Sequence, residues 1–387
     1  MDGLTLLLAM LGGLFNGTFP IFIKTEKVLA AKVHPVIFQL YKSSWVMIVG
    51  VCCAIVRLIR GLPLAFTPWA SLSAAAWIPS GVFTIIAVPL VGVGSSVLTT
   101  AATGSVLSFL VFWLGFHEPM KVHNIGGHEI VLAPFYMFGC ILGMAGLVLA
   151  HQWALRQKES AASAAVHVND GGVPAASEPG TSSPAVVESG DEDPDRSLLS
   201  VRLTEKPPVR RRAQTTAALR LRTLLGYSSA ALSGVFSALQ FGLVQAGQRA
   251  SGMHSGVFDE RFDALGSWLA LFGVSALICT VLAWLLVSIV HYFKGIPIPS
   301  PQLKVMILPG SGAGIFWSLA NICSTFAVLR GGNAVTSAQI NAAGLITSGG
   351  WGLLYYREIR GWPAVAWIAS ASFSAAMAVL LGFEKAK

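Results

Sequence analysis

Charge is what this sequence has least of. Asp, Glu, Lys and Arg make up 11% of its 387 residues, about half the share of a soluble domain. Such a chain cannot clothe a water-facing surface. With 54% apolar residues, the class that remains is the polytopic membrane protein. Acids are absent from the middle of every apolar run, and Glu118 and Glu358 close two of the runs at the expected interface. Proton-driven carriers hold a carboxylate in their cavity, so facilitated diffusion or exchange is expected. The five cysteines, Cys52, Cys53, Cys140, Cys279 and Cys323, all fall inside apolar runs, which argues against a disulfide or zinc framework. The net charge of +8 lies between the runs rather than on a fold that grips a duplex, so no nucleic-acid partner is expected. No cationic stretch precedes the first run and no clear cleavage site follows it, so this run is expected to stay as a helix. The glycines of Gly310–Gly314 lack a following Lys-Ser/Thr, which rejects a phosphate loop. The histidines and glutamates from His117 to Glu129 match no strong ligand spacing. No nucleophile, base and acid form a set. No catalytic residue, metal or cofactor is expected, and the chain does not read as an enzyme.

What the sequence does have is ten apolar segments of spanning length. They cover about 3–23, 34–56, 69–91, 94–116 and 132–152, then about 224–246, 264–290, 305–329, 334–356 and 362–383. Between the two sets lies a linker, 153–222. From Ser160 to Asp195 it carries seven acids and no base; from Arg196 to Arg222 it carries eight bases and one acid. That composition cannot bury a core, so disorder is expected. Arg210-Arg211-Arg212 suits contact with anionic lipid.

The domains expected are therefore 1–152, 153–222 and 223–387. An odd number of crossings in each half turns the second half upside down, which makes an all-α, ten-helix protein of two inverted five-helix repeats. A sequence match supports the repeat. Displaced by 240, the stretch Trp77–Glu118 meets Trp317–Glu358 with nine identities over 42 positions and no gap, where composition alone gives about three or four. Trp77 pairs with Trp317, Gly92 with Gly332, Gly104 with Gly344 and Glu118 with Glu358.

Three local motifs point further: GLFNGTFPIFIK at Gly13–Lys24, GIFWSLANICSTFAV at Gly314–Val328 and YYREIRG at Tyr355–Gly361. With the five-plus-five layout they resemble the drug/metabolite transporter superfamily, and within it the glucose/ribose porters and the relatives called transmembrane protein 144. The first half departs from the closing motif, with Phe116-His117-Glu118-Pro119 where Tyr356-Arg357-Glu358-Ile359 stands later. Ureide permeases look partly similar. The resemblance implies a carrier of a small polar solute, most simply a sugar or carbohydrate derivative, with a cavity between the halves and alternating access. A ureide, nucleobase or nucleotide-sugar carrier is the alternative within the superfamily. A scaffold or sensor using the linker is the alternative outside it.

A hydroxylated solute at mid-membrane must exchange its water for protein hydrogen bonds, and its ring needs aromatic cover. Candidates in the apolar runs are Asn16, Tyr41, Thr103, Gln240, Asn321, Gln339 and Asn341, with Trp77 and Trp317 as aromatic faces. Trp317 and Asn321, four apart, share a helix face; Gln339 and Asn341, two apart, cannot both point into one cavity. Lys42 is the one base deep within a run. It must face the bundle interior or snorkel.

Overall fold

The computed structural model describes residues 3–64, 66–170, 209–250, 267–356 and 359–385. The chain forms two compact units, Met1–Leu155 with Thr223–Lys387, and Arg156–Arg222. In order come α1 (Gly3–Thr18) with a 3-10 extension (Phe19–Lys24), α2 (Glu26–Ala30), α3 (Pro35–Ile59), α4 (Pro68–Val91) and α5 (Val93–Leu110) with a π turn (Val111–Gly115). A hairpin of β1 (Val122–Ile125) and β2 (His128–Val131) follows, then α6 (Ala133–Asp170), α7 (Val209–Ala250) and α8 (Leu269–Phe293). The chain closes with α9 (Leu303–Gly331), α10 (Asn333–Leu354) and α11 (Trp362–Phe383).

This is an all-α polytopic membrane protein. Among the described residues nine helical spans are long and apolar enough to cross a bilayer. The tenth expected segment is the helix α10, but it falls short in apolarity because Asn333, Thr336, Ser337, Gln339 and Asn341 crowd its first turns. Those residues are affordable there because α10 is wrapped by protein, and Asn333 through Ile340 are all buried. The opposite case is α8, only 22% of whose apolar span is buried, against 61% for α9. Its exposed Leu282, Leu286, Ile289 and Phe293 give it an outer face suited to lipid.

Breaks and starts follow local chemistry. Proline stands in the first turn of α3, α4 and α11, where its missing N–H costs nothing. A single glycine separates α4 from α5 and α9 from α10. Gly92 has φ 85, ψ 162 and Gly332 has φ 77, ψ 156, a region closed to residues with a Cβ. Gly126 and Gly127, at φ 62 and 84, close the hairpin with a tight turn. The stretch from His117 to Glu129, considered above for metal ligation, thus carries this hairpin.

Two large apolar clusters form most of the interior, beside a small one of Ala9, Ala327, Val328 and Ile340. One joins α3 and α4 to α8 and α9 around Phe38, Ile85, Phe272 and Met306. The other joins α5 and α6 to α10 and α11 around Phe112, Leu147, Ala342 and Trp367. All five cysteines are free.

In the second unit the backbone is helical over 156–170 and 209–222, where disorder was expected. The Ala-rich run after Glu159 favours helix. Residues 171–208, the side chains of Arg210–Arg212, and Arg357 and Glu358 lie outside the described residues, and so do the expectations for them.

His34 caps α3: its Nδ1 accepts the Val36 N–H at 3.3 Å, and its ring meets His291 edge-on at 5.5 Å. Burial, and secondarily His291, hold its pKa below the ordinary 6.5. The cap is therefore fully present above about pH 6.5 and lost as pH falls through the lower folded value, since the unfolded chain takes the proton first. Thermal unfolding in detergent should weaken from pH 7.5 to 5.5, and His34→Asn, which keeps a capping oxygen but cannot titrate, should flatten that dependence. Equal slopes in both proteins would remove His34 as the cause.

Candidate functional site

Seven of the ten residues singled out from the sequence line one cavity: Asn16, Lys42, Trp77, Gln240, Trp317, Asn321 and Asn341. About 90 Å³ of it is open to the centre of a water molecule, room for roughly half a dozen waters at ~10–15 Å³ each. It is lined by α1, α3, α4, α5, α7, α9 and α10.

The aromatic wall comes from single helical turns. Trp77 on α4 stacks on Trp317 of α9 at 3.9 Å between centroids and 30° between planes, and Phe272 of α8 backs both rings at 5.7 and 6.0 Å. Lys42, two turns into α3 and 1% exposed, points its ammonium into this aromatic corner. Its Nζ lies 4.4 Å from the Phe19 ring, 5.1 Å from Trp77 and 5.6 Å from Trp317. Of the two outcomes open to this lysine, facing the bundle interior or snorkelling, it takes the first.

The polar wall comes from amides and hydroxyls. Asn321 lies one turn beyond Trp317, and its Oδ1 accepts from Gln240 Nε2 on α7 at 3.4 Å. Asn341 Nδ2 donates to Ser105 Oγ at 2.8 Å and to Ala101 O at 3.4 Å. Thr84 and Ser233 share a hydrogen bond at 2.7 Å, and Ser80 Oγ donates to Ser233 O at 2.9 Å, tying α4 to α7. Asn16 lines the cavity, and its side-chain amide has no hydrogen-bond partner among the described residues. Among the described lining residues there is one charge, Lys42, and no carboxylate.

Three candidates lie elsewhere. Tyr41, next to Lys42 and about 100° around α3, turns outward, packs on Gly310 and donates to Pro301 O at 3.0 Å. Thr103 packs against Gly234 at a helix crossing. Gln339 points to α11 and donates to Ala378 O at 3.3 Å, while Asn341, two residues on, faces the cavity. Sequence reasoning passed over Phe19, Ser80, Thr84, Ser233, Ser324 and Ser337. The i, i+4 pair Ser80–Thr84 was an available signal.

Glu118 was expected at the membrane interface; it is 5% exposed. After the π turn, its N–H bonds Phe112 O at 3.0 Å, and His117 at φ 51 turns the chain back inward. The carboxylate then caps α10: Oε1 accepts the Asn333 N–H and Oε2 the Ala334 N–H, each at 3.0 Å. Gln245 Nε2 of α7 donates to Oε1 as well. Negative charge at a helix N-terminus is favourable twice over, through the bonds and through the dipole. Lys385 closes the group: a Cβ on Gly332 would lie 2.9 Å from both Lys385 Nζ and Glu118 Oε2. Burial lowers the Lys385 pKa and Glu118 partly restores it. Beside it, His123 Nε2 pairs with Glu384 Oε2 at 2.7 Å, and Arg249 donates to Phe116 O. Ser337, one turn along α10 from Asn333, already lines the cavity.

No protein-family profile matches this chain, and no curated protein matches it. Among solved structures, one described only as "Crystal structure of protein" overlays at a TM-score of 0.49 with 14% identity, covering 98% of this chain and 98% of that one.

Proposed function

We propose that this protein is a secondary carrier that moves a small polar metabolite, of the sugar or carbohydrate-derivative class, by alternating access between two inverted five-helix halves, with α10 as the tenth crossing. The observation that carries the reading is the cavity itself. A protein that only spans a bilayer gains nothing from amides and hydroxyls gathered around an aromatic wall in the middle of an apolar bundle, because such groups are costly there. A carrier needs them to replace its solute's water.

Features of the fold support the inverted halves. Trp77 and Trp317, 240 positions apart, stack on each other, as residues beside a two-fold axis do. Gly92 and Gly332, also 240 apart, share one unusual backbone conformation. Gly104 faces the backbone of Gly234 on α7, and its counterpart Gly344 faces the backbone of Gly13 on α1, each with 3.4 Å left for a Cβ. The apolar clusters each mix helices of the first half with helices of the second, so rocking of one half moves both walls of the cavity.

In this mechanism the solute's ring lies against the tryptophan pair and its hydroxyls bond to Asn16, Asn321 and Asn341. The Glu118 group holds the turn between α9 and α10 closed at one end, and its bonds break when that end opens. The cavity's size favours a compact solute over a nucleotide sugar. In this reading the solute leaves unchanged.

Uptake into proteoliposomes against a panel of sugars, sugar acids and nucleobases tests the reading. Asn321→Ala should weaken apparent affinity about tenfold, because the lost bond leaves Gln240 and the solute's hydroxyl unpaired at ~1–3 kcal/mol. Absence of uptake of every solute by well-folded protein would refute a carrier.

A further inference from the structure

Lys42 differs from the other bases that the fold engages. Lys385 has Glu118 beside it, Arg57 donates to Pro63 O at 2.6 Å, and Arg249 donates to Phe116 O. Lys42 is more deeply buried than any of them, yet among the described residues no carboxylate, carbonyl or hydroxyl bonds its ammonium. What surrounds it is three aromatic rings. Ring faces attract a cation through their quadrupoles. Ring faces do not cancel its charge, and a buried ion without a counter-charge is among the least favourable states a fold can hold. The charge borders open cavity space, where no described acid competes for it.

Resting on the carrier reading above, we propose that the solute is a compact hydroxylated carboxylate, of the sugar-acid or hydroxy-acid type, whose carboxylate pairs with Lys42. One cation and no second base call for one negative charge. Its carbon skeleton lies on the Trp77–Trp317 face, and its hydroxyls reach Asn16 and Asn321. The unpartnered Asn16 amide supplies donors and an acceptor suited to a hydroxyl. A neutral sugar would leave the lysine uncompensated, and a phosphate monoester would bring more charge than one lysine offers.

The experiment uses the full chain in proteoliposomes for uptake and in nanodiscs for binding, read by quenching of tryptophan fluorescence. The probes are gluconate, glucose and glucose 6-phosphate. Gluconate is expected to bind and enter at least ~10-fold more effectively than glucose. Lys42→Met should erase that preference and Lys42→Arg should keep part of it. Saturable gluconate binding that Lys42→Met abolishes supports the anion site even if uptake is absent, in which case only the carrier reading falls. Equal handling of glucose and gluconate, with Lys42→Met leaving their ratio unchanged, overturns the anionic solute while uptake itself upholds the carrier. Tighter binding of glucose 6-phosphate than of gluconate overturns the single-charge assignment. Absence of both binding and uptake overturns both.

Discussion

Glu118→Ala is expected to cost the folded bundle about 3–5 kcal/mol, the range for breaking one side of a buried charged group. The loss has identifiable parts. The N–H groups of Asn333 and Ala334 lose their acceptors, and the Gln245 amide loses the oxygen it donates to. Lys385 loses its compensating charge in a half-closed space. Each stranded donor costs ~1–3 kcal/mol when water cannot reach it, and the N-terminal dipole of α10 goes unanswered. Glu118→Gln keeps an acceptor oxygen and the side-chain shape but drops the charge, so about half the loss is expected. Gln245→Leu removes one donor and leaves the cap, and should cost ~1 kcal/mol. Chemical unfolding in detergent micelles orders the three variants. An alanine variant within 1 kcal/mol of the parent would show that water enters the site and the cap is ornamental.

Glu118 also shows where the sequence stops being legible. Its position at the end of an apolar run is plain, and that alone places an acid at the membrane surface. Its burial depends on where the second half puts α10, a contact across 215 residues that no local pattern encodes. The spans themselves are legible because twenty apolar residues in a row have few other uses. The expected boundaries lie within five residues of the spans in the structure. Identity of polar residues was legible too, since an amide or lysine inside such a run needs a reason. Direction was not. Helices in this bundle touch protein on several sides, so apolarity does not vary around them enough to mark the cavity face. Lys42 and Tyr41 are neighbours, and nothing local says which of them turns inward. For Gln339 and Asn341 the helical angle separates them without saying which one faces the cavity. The serines escaped notice because a hydroxyl is cheap in a helix, where it bonds the preceding turn, as Ser318 does to Gly314 O at 2.8 Å. Only the pairing of Ser80 and Thr84 with Ser233 across helices reveals that some of them carry the wall.

If the two halves are inverted copies, equivalent glycines should fail equally. Gly13 of α1 lies against α10: a side chain there would run into Ala343 Cβ and the carbonyl oxygen of Ile340 and come within 2.8 Å of Gly344 N. Gly234 of α7 lies against α5 in the same manner, and a Cβ there would be 2.5 Å from Thr100 O and 2.9 Å from both Gly104 N and Thr103 Cβ. The obstacles are mainly backbone, which cannot swing aside as a long side chain does. Small residues at such crossings let membrane helices approach closely enough to gain dispersion energy. Gly13→Leu and Gly234→Leu should therefore each destabilise by about 3 kcal/mol, the upper part of the range for overpacking a dense interior. The matching alanine variants should lose less. Gly350→Leu on α10, with nothing within 4 Å of its would-be Cβ, should be neutral or slightly stabilising, since leucine favours helix over glycine. Unfolding midpoints in one detergent give all of these values on one scale. Losses at Gly13 and Gly234 that agree within about 1 kcal/mol are what two copies of one packing unit require. A large loss at one site and none at the other would mean that the halves, whatever their sequence match, do not use the same crossing to hold the cavity walls together.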